Sequence, residues 1–248
     1  MFGLIGGTGL SEFKGIDIIK TESVNTPYGK PSDEFTLARL DDKDVIFLPR
    51  HGVDHSIPPH KINYRANMWG FKKLGVTKVL AIATVGGISK NLEPGCIVIP
   101  DQIIDYTYGR EHTLFDGVNN PVEHIDFTYP YDEELRKELI ALIKKSDLKF
   151  NTSGIYAATQ GPRLETAAEI DRYEKDGSNI VGMTGMPEAS IAKELELRYI
   201  SLCPVVNCAA GRGDSKDGLS HEIIMKNSDQ LMSKLLTFVL EFIRLHGD

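Results

Sequence analysis

Short apolar runs alternate with helical patterns along almost the whole of this 248-residue chain. The runs are rich in Val, Ile and Leu and are bounded by Gly, Pro or Asp, which is typical of strands in a sheet that helices cover. Strands are predicted over residues 2–5, 35–40, 45–48, 79–84, 97–104, 154–158, 180–183 and 199–206. Since repeats, low-complexity tracts and linker-like changes in composition are missing from the sequence, we expect a single α/β domain over residues 1–248, with helices flanking a mixed sheet.

Two predicted helices carry clear apolar stripes. The first follows an acidic turn at residues 132–134, and its stripe consists of Leu135, Leu139, Leu142 and Ile143. The second is long and C-terminal, and its stripe consists of Leu231, Leu235, Phe238, Phe242 and Leu245. Two further helices are expected to begin near Glu165 and at Pro187, where Glu188 in the first turn reads as ordinary helix-start chemistry.

The composition limits the ligands that this chain can bind. A net charge of −7 argues against a nucleic-acid binder, so an anionic substrate must be held by a local cluster of donors. No apolar run approaches the roughly 18 residues that span a bilayer, and the N-terminus lacks the basic region of a signal peptide. Cys96, Cys203 and Cys208 form no CxxC pair, which indicates free thiols and a cytoplasmic protein.

The stretch "PRHGVDHSIPPH", residues 49–60, places Arg50 and His51 directly after a predicted strand. Ligands of open α/β sheets bind where strands end, and a guanidinium offers paired donors that suit a phosphate. A metal site would use the histidines of this stretch at helical spacing, but Gly52, Pro58 and Pro59 disfavour a helix there. We therefore expect an anion site and no metal, with a solvated loop as the remaining alternative.

Five other stretches also follow predicted strands. "GLIGGTG", residues 3–9, offers backbone amides and the Thr8 hydroxyl, although it matches neither a dinucleotide fingerprint nor a P-loop, and a plain tight turn explains it equally well. "IATVGG", residues 82–87, is similar but weaker. Glu165 can be read as a simple helix-start carboxylate and Met183 as core. Asn207 ends an apolar strand, and its amide needs partners if it is buried.

Eight stretches, in this order, resemble the trimeric nucleoside phosphorylases over nearly the whole chain. They are "GLIGGTGL", "TPYGKPS", "RHG", "INYRANMWGFKKLG", "GREHTLFDG", "HIDFTYPYDEELR", "TQGPRLETAAEI" and "GMTGMPEASIAKEL". The branch they resemble contains methylthioadenosine phosphorylase, methylthioinosine phosphorylase and 6-oxopurine nucleoside phosphorylases. The resemblance implies a phosphorylase-type α/β sandwich, a homotrimer or dimer of trimers, and inorganic phosphate as co-substrate without a metal or other cofactor.

The resemblance also assigns roles to individual residues. His51 and Asn207 would act in catalysis, and Met183 would lie against the ribose. His124 would extend into the neighbouring subunit's site. The phosphate would be held by Thr8, Arg50, His51, Ala83, Thr84 and Thr184. The nucleoside would be contacted by Glu165, Met183, Asn207, Cys208, Ala209, His221 and His124.

The substrate expected from this resemblance is a 6-oxopurine nucleoside of the inosine or guanosine type. Members of the family that act on 6-aminopurines carry Asp at the positions of Asn207 and Ala209, and both are absent here. His221 stands where methylthio-specific members have a small apolar residue, which favours a 5′-hydroxyl. The stretches "TQGPRLETAAEI" and "MTGMPEA" most resemble those of methylthioinosine phosphorylases, so a methylthioinosine phosphorylase is the alternative. Remoter alternatives are a nucleosidase, a metallohydrolase and a non-catalytic nucleotide-sensing protein.

Overall fold

The computed structural model describes residues 1–7, 16–118 and 120–246. Twelve strands and five α-helices lie within these ranges. The strands are β1 (Phe2–Gly6), β2 (Asp17–Glu22), β3 (Phe35–Leu40), β4 (Lys43–Pro49), β5 (Lys78–Ile82), β6 (Val85–Gly87), β7 (Cys96–Val98), β8 (Gln102–Asp105), β9 (Lys149–Asn151), β10 (Ile155–Ala158), β11 (Ile180–Gly182) and β12 (Arg198–Cys208). The helices are α1 (Tyr64–Lys73), α2 (Glu133–Ile143), α3 (Ala167–Lys175), α4 (Gly185–Glu194) and α5 (His221–His246).

The strands form one mixed sheet in the order β2-β3-β4-β1-β5-β12-β6-β11-β10-β8, with β7 and β9 attached beside β12. One half contains β4, β1 and β5, which run parallel to each other and to the first part of β12. The other half contains β8, β10 and β11, also mutually parallel, and β11 runs antiparallel to β6. Because β12 pairs first with β5 and then with β6, the carboxyl ends of the two halves meet in the middle of the sheet.

Helices cover both faces of the sheet. Helices α2 and α5 bury Leu139 and Phe242 against one face, in a cluster that includes Leu80 of β5. Helices α1 and α4 bury Phe71 and Ile191 against the other face. A smaller cluster below α3 completes the packing. The α/β architecture expected from the sequence is therefore confirmed.

Several predicted boundaries were wrong for local reasons. The run 97–104 is two strands, since Pro100 has no N–H to donate between β7 and β8. The helix expected near Glu165 begins at Ala167, where Thr166 and Glu169 form a reciprocal capping box. Leu245 is 61% exposed, because the end of α5 extends past the core. The exposed edge strand β2 has no periodic apolar signal and was not predicted.

Among the described helices, none is long and apolar enough to cross a membrane.

Candidate active site

A cavity of about 400 Å³ lies where the carboxyl ends of the two half-sheets meet. Gly7 follows β1, Arg50 follows β4 and Ala83 follows β5, and all three line the cavity. Met183 follows β11 and Asn207 lies near the end of β12, so the opposite half of the sheet contributes the other wall. Helix α5 closes one side. Residues from distant parts of the chain converge here because each half-sheet ends at this point.

Eight of the site residues predicted from sequence line this cavity: Arg50, His51, Ala83, Thr84, Glu165, Met183, Thr184 and Asn207. Three others do not line it. Ala209 is buried below the cavity in the cluster under α3, the Cys208 sulfur packs beside Gly213, and His124 is exposed on the loop before α2. Thr8 lies outside the described residues, as does the side chain of His221, which opens α5.

The guanidinium of Arg50 is fixed by a buried carboxylate that the sequence interpretation had assigned to a helix start. Its Nε and Nη2 donate to the two carboxylate oxygens of Glu188, at 2.6 and 2.8 Å, and its Nη1 donates to the Ile82 carbonyl at 3.0 Å. Arg50 is 1% exposed and Glu188 is not exposed at all. Burial alone would lower the pKa of Arg50, but the charge and hydrogen bonds of Glu188 raise it above its ordinary value.

This ion pair decides which part of Arg50 can meet an anion. Two of its nitrogens face Glu188. The third, Nη1, faces Gly7, because a Cβ added to Gly7 would stand only 3.4 Å from Nη1. Gly7 lines the cavity, so its missing side chain leaves the Nη1 edge open to a ligand. Arg50 therefore offers one oriented edge of a fully charged guanidinium.

His51 is neutral, and its protonation is set by a backbone carbonyl. Its Nδ1 lies 2.7 Å from the carbonyl oxygen of Ile57, and a carbonyl can only accept, so Nδ1 carries the proton. Burial lowers the pKa of His51 to about 4, helped by the positive charge of Arg50. Neutral His51 thus has a lone pair on Nε2, the ring nitrogen nearer to Gly7 and the cavity. Next to Arg50, the site holds a proton acceptor.

Two further donors complete this end of the cavity. The backbone N–H of Ala83 is not one of them, because it donates to the Leu202 carbonyl at 3.2 Å, whereas the N–H of Thr84 has no backbone acceptor among the described residues and remains for a ligand. Thr184 precedes α4, is 8% exposed, and its hydroxyl does not cap the helix. Hydroxyl and amide donors here can therefore add to the guanidinium of Arg50.

The other end of the cavity carries a carboxylate and an amide. Glu165 accepts from the Thr159 hydroxyl at 2.7 Å, and burial raises the pKa of its carboxyl above the ordinary value. Asn207 follows a bulge in β12, where Val205 pairs with Val85 and Asn207 with Gly86. Because the bulge breaks the strand's alternation, Val206 and Asn207 both line the cavity.

The Asn207 amide is held by the chain itself. Its Nδ2 donates to the Cys208 carbonyl at 2.7 Å, which orients the amide and leaves one N–H and the oxygen for a ligand. The neighbouring Gly86 permits this position, since a Cβ there would stand 3.2 Å from Nδ2. The end with Glu165 and Asn207 can consequently donate from the Asn207 amide and accept at the Glu165 carboxylate or the Asn207 oxygen.

Sequence reasoning missed the residues of α5 that line the cavity, namely Ile224, Met225 and Ser228. Their spacing of one turn could have been noticed, but nothing in the sequence shows that this face of α5 meets the cavity rather than the core. The Ser228 hydroxyl is buried and has no hydrogen-bond partner among the described residues. It is a polar atom at the cavity wall that a ligand can satisfy.

Comparison with known proteins agrees with this geometry. The model of the Phosphorylase superfamily matches residues 2–244. A probable S-methyl-5'-thioinosine phosphorylase of Pseudomonas syringae pv. tomato is 50% identical over 86% of each chain. The 6-oxopurine nucleoside phosphorylase of Pyrococcus furiosus is 42% identical over 95% of this chain and 91% of its own. The structure of methylthioadenosine phosphorylase from Schistosoma mansoni in complex with adenine superposes with a TM-score of 0.91, at 30% identity, over 98% of this chain and 91% of that one.

The chain therefore belongs to the phosphorylase superfamily. The family that the sequence resembles is confirmed, and with it the expectation of an enzyme, a pentosyltransferase.

Proposed function

We propose that this enzyme transfers the pentosyl group of 6-oxopurine nucleosides, of the inosine and guanosine type, to inorganic phosphate. The products are the free purine and ribose-1-phosphate or its deoxy analogue. One observation carries the proposal: a single cavity has the oriented guanidinium of Arg50 at one end and the Glu165 and Asn207 pair at the other. The names of the two similar relatives, a 6-oxopurine nucleoside phosphorylase and a thioinosine phosphorylase, support the same class of base.

At the phosphate end, Nη1 of Arg50, the Thr184 hydroxyl and the Thr84 amide donate to phosphate oxygens in this proposal. His51 is different, because its cavity-facing Nε2 accepts and would take a hydrogen bond from the hydroxyl of hydrogen phosphate. Phosphate is the nucleophile, and its negative charge stabilises the cation-like ribose of the transition state. In the overall reaction the proton of hydrogen phosphate ends on the departing purine, and His51 is placed to receive it on the way.

At the base end, the carboxylate of Glu165 accepts from N1–H of a 6-oxopurine, and the free N–H of Asn207 donates to O6 of the leaving base. Adenine reverses this pattern, since its N1 is an acceptor and its 6-amino group a donor. Each mismatched buried contact costs about 1–3 kcal/mol, so two mismatches separate the substrates by several kcal/mol. Met183 lines the wall between the two ends and would lie against the ribose.

The test compares inosine and adenosine with and without phosphate. Rapid phosphate-dependent release of hypoxanthine, with adenosine at least about a hundredfold poorer in kcat/KM, is the expected result. Equal kcat/KM for the two nucleosides would contradict the 6-oxopurine preference. Turnover without phosphate would instead indicate a nucleosidase, and saturable binding without turnover a sensor protein. Loss of turnover with a chelator would indicate a metallohydrolase.

A methylthioinosine phosphorylase is the second candidate, and the wall formed by α5 favours it. Ile224 and Met225 present apolar surface to the cavity, which suits a thioether better than a hydroxyl. If the primary proposal is correct, the wild type prefers inosine and His221→Val shifts the preference towards methylthioinosine. A strong wild-type preference for methylthioinosine that His221→Val leaves unchanged would establish the second candidate, with hypoxanthine and 5-methylthioribose-1-phosphate as products.

The proposal includes a homotrimer, or a dimer of trimers, in which exposed His124 reaches a neighbouring subunit's cavity. It requires phosphate as co-substrate and no metal or organic cofactor. Phosphate binding by these residues and a cytoplasmic location belong to the proposal as well. The cytoplasm is supported by the three free cysteines.

A further inference from the structure

Arg110 has a buried guanidinium that belongs to neither end of the cavity. It follows β8 in the stretch "GREHTLFDG" and is 8% exposed. It does not line the cavity, and among the described carboxylates none forms an ion pair with it. Backbone carbonyls, one tyrosine hydroxyl and one side-chain amide accept its hydrogen bonds instead. A buried charge that is stabilised in this way constrains the positions of the segments that supply those carbonyls.

The first of these segments carries the carboxylate of the base end. Nη2 of Arg110 donates to the carbonyls of Thr159 and Gln160, at 3.0 and 2.8 Å. Its Nε donates to the side-chain oxygen of Gln160 at 3.2 Å. The hydroxyl of the same Thr159 holds Glu165. Arg110 therefore fixes the backbone of Thr159, and the Thr159 side chain in turn holds Glu165 in position.

The second segment carries the groups of the phosphate end. Nη1 of Arg110 donates to the carbonyls of Met183 and Met186, at 2.9 and 2.6 Å. Thr184 lies between these two residues, and Glu188, which orients Arg50, follows two residues later. The same guanidinium thus fixes the turn that supplies Thr184 and leads to the partner of Arg50.

The remaining contacts keep the guanidinium in one orientation. Nη1 also approaches the Tyr64 hydroxyl at 3.2 Å, and the guanidinium lies over the Tyr64 ring at 5.6 Å from its centroid. A planar fork with five N–H groups can serve two segments at once, whereas an ammonium group acts as a single point.

We propose that Arg110 is a positioning residue that ties the base-binding segment, residues 159–165, to the phosphate-binding segment, residues 183–188. This rests on the proposed function in taking a purine nucleoside and phosphate as the two ligands. If the contacts of Arg110 with one segment are weakened, the guanidinium can move, and its contacts with the other segment are weakened as well. Damage at Arg110 therefore reaches both substrates, although Arg110 touches neither.

The test is Arg110→Lys, which keeps the charge and removes the fork. The KM for phosphate and the KM for the nucleoside are both expected to rise by about tenfold or more, since each segment loses charge-assisted hydrogen bonds. A role in stability alone would lower the melting temperature and the yield of active enzyme while leaving both KM values unchanged. A rise in only one KM, or in neither, would overturn the proposal.

The matched control is Arg39→Lys. Arg39 lies on β3, outside both segments and outside the cavity lining, and its exposed side chain pairs with Asp44 at 2.7 Å. Exposed ion pairs contribute little, so both KM values should stay within about twofold of the wild type.

If Arg110→Lys does not fold, hydrogen exchange on the wild-type enzyme decides the question. Inorganic phosphate alone is expected to slow backbone exchange in residues 159–165 as well as in residues 183–188. Protection confined to residues 183–188 would overturn the proposal. This measurement needs only phosphate, so a wild-type enzyme inactive on every purine nucleoside would contradict the proposed function and leave the inference about Arg110 standing.

Discussion

Individual side chains at this site are oriented by hydrogen-bond partners that the fold places beside them. Arg50 is oriented by Glu188, 138 residues later, and His51 by the carbonyl of Ile57. In both cases a neighbouring group has fixed which atoms face the cavity. The chemistry of the site therefore depends on Glu188, which does not line the cavity, as well as on residues that do.

Replacing Arg50 with Ala should raise the KM for phosphate about ten- to a hundredfold, because a charge-assisted contact is lost, and should affect the nucleoside less. It also leaves Glu188 buried and unpaired, so the free energy of unfolding should fall by about 3–5 kcal/mol. The double variant Arg50→Ala/Glu188→Gln removes that unpaired charge and keeps an acceptor for Tyr199. We expect it to regain stability in chemical denaturation without recovering phosphate affinity.

Normal phosphate saturation in Arg50→Ala would contradict the placement of the phosphate. If the double variant is no more stable than the single one, Glu188 is not the source of the loss.

His51 should titrate far below an ordinary histidine. The pKa of His51 is lowered to about 4 by burial, so between that value and its ordinary 6.5 the unfolded chain binds a proton that the folded protein does not. The stabilising contribution of neutral His51 is thus complete above pH 6.5 and is lost as the pH falls towards 4. Nitrogen-15 NMR of labelled histidine should show a proton on Nδ1 and none on Nε2 at pH 7. A midpoint near 6.5 with Nε2 protonated would refute this assignment.

At the scale of elements, α5 serves two purposes along its length. Its first turns supply Ile224, Met225 and Ser228 to the cavity, and its later turns bury Leu235 and Phe242 in the core. The helix begins at the site and ends outside the core, where Leu245 is exposed. One continuous periodic pattern thus covers three different environments.

Leu235 and Leu245 make a matched pair within this helix. Leu235 is fully buried, so Leu235→Ala should lower the free energy of unfolding by about 2–5 kcal/mol through lost contacts and a cavity. Leu245→Ala should change it by less than about 0.5 kcal/mol, as exposed substitutions do. Denaturant unfolding of both variants measures the difference. Equal losses would mean that the end of α5 is covered in the assembled protein.

At the scale of the whole molecule, the sheet explains where the site lies. Two parallel half-sheets end at the same place because β12 changes partners there, and the predicted site residues that line the cavity lie at strand ends or in the loops that lead from a strand to a helix. His124 does not line the cavity of its own chain and is exposed on the loop between β8 and α2. A role for it requires a second subunit.

Replacing His124 with Ala tests that requirement. In a trimer with shared cavities, the nucleoside KM should rise about tenfold through the loss of one buried hydrogen bond, although His124 does not line its own chain's cavity. The exposed neighbour Glu123→Ala is the control and should leave KM unchanged. Light scattering reports the assembly. A monomeric, active enzyme that is indifferent to His124→Ala would rule out the shared site.

The sequence alone determined the alternation of elements, most strand positions and the family, because these depend on local periodicity and on short motifs. Glu165 was indicated only by the family resemblance of "TQGPRLETAAEI". Arg50, His51 and Asn207 could be singled out because each polar side chain follows or ends an apolar run. Their convergence in one cavity bears out the rule that sites form at strand ends.

Only the tertiary structure decided how those side chains are presented. Glu188 reads as a helix-start carboxylate until Arg50 is brought against it, and Arg110 carries no local signal at all. The bulge that turns Asn207 into the cavity depends on pairing with β6, and the proton on His51 depends on a carbonyl placed by folding. Hydrogen bonds that depend on the tertiary fold have no periodicity in the sequence, so no sequence pattern predicts them.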